Sequence, residues 1–189
     1  MLTKIGEFGE WTTESEMKTL ISVGIILTVL ALAQSQQKED LDGLSEKISS
    51  HLESKLPGWQ HRRLPPFGTP ESKVVVQVWS IPNRIVKVAV AVRGSVEDAK
   101  KEIRSFLQFR REPQELSGFG DEAFWPERNG ADLVLRKGRY VIYLSIVVYV
   151  EEDSDAQNLT KAEQQARAKA DTERILKEFA RQFSAIELE

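Results

Sequence analysis

The chain of 189 residues contains no cysteine. That absence excludes disulfides, thiolate catalysis, cysteine-ligated zinc and a lipid attached through an N-terminal cysteine. Histidine is nearly missing as well: the two present, His51 and His61, are too few for a histidine-rich metal site. No Gly-x-Ser-x-Gly, His-Glu-x-x-His or phosphate-loop pattern occurs, so the common hydrolase and nucleotide signatures are lacking. Charge of one sign is also lacking. The formal net charge of −3 gives no global field to attract nucleic acid or an anionic membrane. No internal repeat occurs, and no cofactor or metal is indicated.

One long apolar run is present. Met17 to Ala33 has a basic start, a short hydrophobic stretch and a small-x-small ending at Ala31-Leu32-Ala33. These are the features of a secretory signal peptide, with cleavage expected after Ala33 or, second, after Ser35. The run from Thr19 to Ala33 falls short of the roughly 20 residues a bilayer span needs. No stable membrane anchor is therefore expected after cleavage. Glu14 and Glu16 stand where a signal would be positive, so residues 1–16 read as a silent segment ahead of a true start at Met17. Loss of residues 1–33 removes Lys4, Lys18, Glu7, Glu10, Glu14 and Glu16, leaving the remainder near −1. Residues 34–189 are expected to form one exported domain, periplasmic or extracellular, which without disulfides relies on its core.

Hydrophobic periodicity then divides the chain. Leu41, Leu44, Ile48, Leu52 and Leu56 recur at helical spacing between Asp40 and Leu56, and Pro57-Gly58 stops the helix. His51 lies beside that stripe and reads as solvated or partly packed. Gly58 to Thr69, with Trp59, His61, Arg62 and Arg63, reads as a connecting loop. Lys73–Ile81 and Ile85–Arg93 flank Pro82-Asn83-Arg84 as a hairpin. Ser95 to Asp98 is a capping-box variant opening a helix that ends before Pro113. Ala123-Phe-Trp, Ala131–Arg136 and Tyr140–Val150 read as a meander, with turns at Asn129-Gly130 and Lys137-Gly138-Arg139. Glu151 to Asp155 is an acidic run without the glycine and terminal glutamate of a calcium loop. Thr160 to Glu163 is a full capping box, starting a long helix with Ala162, Ala166, Ala170, Leu176, Phe179 and Phe183 expected inward. The predicted fold is α+β: one mostly antiparallel sheet of about five strands, in the order helix, two strands, helix, three strands, helix.

Side chains alternate across a strand, so each strand here has two unlike faces. Tyr140, Ile142, Leu144, Ile146, Val148 and Val150 form one aliphatic row, and Val86, Val88, Val90 and Val92 another. The opposite, mixed face is expected to carry Trp79, Gln77, Lys87, Tyr143 and Tyr149, with Trp125 and Arg136 near it. Clustered aromatics there suggest a binding surface for a protein or a small amphiphilic ligand. The bland alternative is that the first helix covers this face.

Gly118, Gly120, Asp121 and Gly138 read as turn residues, with Asp121 bonding backbone amides. A hydrolase-like use of Asp121, Glu122 and His61, with Arg136, is the weaker alternative. Neighbouring residues of a strand point to opposite faces and so should not converge. A structural role in the cell envelope is a third reading. Gly-x-Gly-Asp-Glu-Ala, followed by Arg136-Lys137-Gly138-x-Tyr140-Val141 and a long strand, resembles a pattern in uncharacterised exported bacterial proteins. Some of those are similar to the PsbP/Mog1-like α+β architecture. The resemblance spans the central third of the chain and implies fold and compartment, but no catalytic residues.

Overall fold

The computed structural model describes residues 41–65, 73–127, 130–149 and 159–188. Residues 1–16, the signal-like run Met17 to Ala33 with both expected cleavage points, Val150 and the acidic run Glu151 to Asp155 lie outside these. Helix α1 covers residues 41–55. It is followed by β1 (Gln60–Arg63), β2 (Val74–Ile81), β3 (Arg84–Val92), α2 (Val96–Leu107), β4 (Gln114–Glu115), β5 (Glu122–Trp125), β6 (Asp132–Lys137), β7 (Tyr140–Val148) and α3 (Lys161–Ala185). The seven strands form a single antiparallel sheet in the order β1-β2-β3-β7-β6-β5-β4. Two meanders, β1–β3 and β4–β7, are thus joined where their last strands pair.

The α+β class and the single antiparallel sheet agree with the periodicity, but the strand count and order do not. The segment expected to be loop contains β1, and β4 closes the other edge. Both are short and polar, so neither carries the alternation that marks a half-buried strand. Both helix-start signals form. The Ser95 hydroxyl accepts the Asp98 amide at 3.1 Å, and Thr160 and Glu163 close a reciprocal capping box.

The aliphatic rows of β3 and β7 join Leu133, Leu135 and Ala123 in the main core. Helices α1 and α3 cover it with Ile48, Leu52, Ile175, Leu176, Phe179 and Phe183. Each large apolar side chain fully withdrawn from water there contributes about 1.5–3 kcal/mol. On the opposite face α2 seats Ala99 and Ile103 against Ala91, Val134 and Val141. Helix α1 therefore lies on the aliphatic face, not the mixed one. Only the second half of α3 is buried: Ala162, Ala166 and Ala170, expected inward, are exposed, and Ile175 and Ala180 take up the stripe.

The β2–β3 hairpin corrects one face assignment. Ile81 pairs with Arg84, so the turn holds two residues, Pro82 and Asn83, rather than three. Proline pre-sets its own φ, and Asn83 takes the left-handed value of 63° that asparagine tolerates. A register shift of one residue exchanges the two faces of a strand. Trp79 therefore pairs with Val86, and Val75, Gln77 and Trp79 point into the main core. Val74, Val76 and Val78 share the mixed face with Lys87 and Ala89.

Candidate binding surfaces

The residues expected to form one binding face occupy five distinct environments. Trp79 is wholly buried in the main core. Its indole N–H donates to Gln77 Oε1 at 3.1 Å, and Gln77 Nε2 donates to the Ser45 carbonyl and hydroxyl at 2.9 and 3.0 Å. His61 stacks on the indole at 4.7 Å between ring centroids, with its Nδ1 2.9 Å from the Glu53 carboxylate. Every polar group of Gln77 has a partner, as a buried amide requires. Trp79 belongs to the packing that fixes α1 on the sheet, and its expected place on the mixed face is withdrawn.

Trp125 also lies on the core side, 5% exposed, with Lys177 Nζ 6.0 Å from its ring centroid. It lines an open cleft of about 480 Å³ beneath the first half of α3.

Tyr143 is on the mixed face as expected, half covered by α2. Phe106 meets it edge-on at 5.2 Å, and its hydroxyl donates to Glu102 Oε1 at 2.7 Å. Arg93 donates to both Glu102 oxygens, closing an internal relay. Burial pushes the Tyr143 phenol well above its ordinary value, and the adjoining Glu102 carboxylate reinforces the shift.

Arg136 is 7% exposed, a buried cation held by two carboxylates. Its Nη1 donates to Asp121 at 2.6 Å and to the Gly138 carbonyl at 3.0 Å, while Nε donates to Glu122. Asp121 and Glu122 thus converge after all. Only Glu122 is in β5, and Asp121 sits in the bend before it, where strand alternation does not apply. They converge on a single guanidinium that pairs with both. His61 stands on β1, five strand steps from β5 in the sheet order and hence roughly 24 Å away. The structure does not bring these three residues into one site.

The same bend ties the resemblance motif together. Asp121 accepts the Gly138 amide at 2.7 Å, and the Asp121 amide donates to the Arg136 carbonyl at 2.8 Å. The Gly120 amide donates to the Ser184 hydroxyl at 2.7 Å, and Lys137 Nζ donates to the Ser184 and Ile186 carbonyls at the end of α3. A Cβ on Gly120 would stand 2.4 Å from the Arg136 carbonyl oxygen, at a φ of +59°. Only glycine allows that approach.

What stays open is one end of the mixed face. Helix α2 packs over β6 and β7, and among the described residues nothing covers the end of the sheet beside the β2–β3 turn. Ile85 and Val147 are cross-strand partners there, 37% and 48% exposed. Lys87 is the next mixed-face residue along β3 and is exposed. Tyr149 follows β7, 45% exposed, with its amide bonded to the Asn83 carbonyl at 2.9 Å. Phe109, after α2, is more exposed still, but a lone apolar side chain is ordinary on a protein surface. Among the described residues no group of three or more acidic or histidine side chains is placed to hold a metal. No described helix is long and apolar enough to cross a membrane. Comparison with protein-family models, curated proteins and solved structures found no match to this chain.

Proposed function

We propose that the chain is an exported, non-catalytic binding or accessory domain, periplasmic or extracellular, that contacts a protein partner through the bare end of the mixed sheet face. The observation that carries this reading is the Ile85–Val147 pair, adjacent across two central strands and left in water with Tyr149 and Lys87 beside it. Core strands normally bury such pairs, and apolar surface that solubility does not require is commonly a contact surface. The signal-like run at Met17 to Ala33 supports export.

A photo-crosslinking amino acid placed at position 147 tests this in the native host, with position 105 on the solvent side of α2 as the control. The expected result is a discrete protein adduct from position 147 and none from position 105. Identical adducts from both positions, or none from either, would remove the sheet-face reading.

A further inference from the structure

The two faces of the sheet are unequally covered. Strands lie about 4.8 Å apart and a helix is about 10 Å across, so one helix roofs roughly two strands. The main-core face carries both α1 and α3. The mixed face carries α2 alone, set over β6 and β7. Beyond it, over β1–β3 beside the β2–β3 turn, the described residues leave room for one more helix.

The pairing register shows what lines that room. One row of the mixed face runs Arg62, Val78, Lys87, Ser145 and Asp132, on β1, β2, β3, β7 and β6. His61, one residue before Arg62, stacks on Trp79 on the other side of the sheet, as alternation requires. The next row toward the turn holds Ser80, Ile85 and Val147. Ile85 and Val147 make an apolar floor in contact with water. Arg62 and Lys87 flank Val78 two strands apart, hence roughly 10 Å from each other. Both are exposed, and neither has an ion-pair partner among the described residues. Their neighbours do: Arg63 pairs with Asp42, and Arg84 with Asp171. Asp132, the carboxylate of the row, stands two strands beyond Lys87. An apolar floor with unmatched cations on both sides of a helix-wide strip fits a helix that is apolar beneath and acidic along its flanks.

We propose that this gap receives an acidic amphipathic helix from a partner protein. Its aliphatic stripe rests on Val78, Ile85 and Val147, and its carboxylates meet Arg62 and Lys87. A second copy offers no helix among the described residues whose apolar stripe is free, since α1, α2 and α3 bury theirs on the sheet. The inference rests on the reading of this end of the sheet as a contact surface and names its occupant.

The test is selection on the full chain from a displayed library of helical peptides about 15 residues long, roughly 22 Å. Each has a fixed aliphatic stripe, with Glu, Gln or Lys varied along both flanks. The expected result is enrichment of Glu on both flanks. The selected peptides should bind Arg62→Glu and Lys87→Glu about tenfold more weakly at low salt, and bind Lys87→Arg and the α2 surface variant Lys101→Glu as before. Both sheet positions are exposed, so the melting temperature should not move with them. Selection of Lys-flanked or uncharged peptides, or equal binding to the charge-reversed variants, would overturn the acidic helix. So would the absence of any selected helix while position 147 still gives a protein adduct; the contact surface then stands and only its occupant is wrong. Absence of the adduct removes the surface itself. A dimer in sedimentation equilibrium that Val147→Asp dissociates would assign the face to a second copy and overturn the proposal.

Discussion

Trp79 and Trp125 lie on the same side of the same sheet, and both are almost entirely out of water, yet their surroundings are unlike. Trp79 has an acceptor for its N–H, a stacked His61 and an edge-on Phe179 at 6.3 Å. Trp125 has a lysine above its ring and an open cleft beside it. The difference lies in what each helix contributes above the sheet. Over Trp79, α1 supplies Ser45, whose two oxygens hold Gln77. Over Trp125, α3 supplies small and polar residues that leave space. Burial alone does not tell the two tryptophans apart; what the helix above each supplies does.

The contrast can be broken most forcefully at Trp79. Trp79→Ala should cost about 3–5 kcal/mol, because nothing around a wholly buried site can collapse to fill it. Chemical denaturation measures it, and a loss near zero would place Trp79 outside the core. A finer comparison replaces each tryptophan by phenylalanine, removing the same part of the ring. Trp79→Phe should cost about 1–3 kcal/mol more than Trp125→Phe, since only the former strands a buried acceptor on Gln77. Equal costs would mean that the Gln77 acceptor is satisfied without the Trp79 indole.

The smallest effect concerns Tyr143, a third aromatic with a polar tip, on the opposite face. Its folded-state phenol is raised above the ordinary value of about 10 that the unfolded chain keeps. Below pH 10 both states hold the proton and its contribution is fully present. As pH rises above 10 the unfolded chain loses the proton first, and stability falls. Tyr143→Phe should lower stability at neutral pH by about 1 kcal/mol, through loss of the bond to Glu102, and flatten this alkaline decline. Urea unfolding followed from neutral to alkaline pH reads both.

Much of the fold was legible because it rests on periodicity. The valine row of β3 and the aliphatic row of β7 face the core as their alternation requires. The two helix caps form where their residues stand. What was not legible depended on counting turn residues. Pro82-Asn83 and Pro82-Asn83-Arg84 are equally good turn signals, yet they place Trp79 on opposite faces. Gln-His-Arg-Arg carries no mark of an edge strand, since its order comes from pairing with β2. The convergence of Asp121 and Glu122 was hidden for a related reason, because strand alternation was applied one residue too early. Of the candidate site, Trp125 was visible as an aromatic near a turn. Gln165 and Thr172, which line the cleft beside it, were not, since they stand off the stripe of Ala162, Ala166, Ala170 and Leu176 expected to face inward.

The seam between the two meanders has a kinetic consequence. Strand β3 finds its second neighbour only in β7, so Arg84 must wait for Val148 and Val92 for Tyr140. Such non-local pairing belongs with slow folders, in the millisecond-to-second range, rather than with helical proteins of similar size. Until the seam closes, the valine-rich edge of β3 stays open to the wrong neighbour, and the folding chain would benefit from a chaperone that holds it.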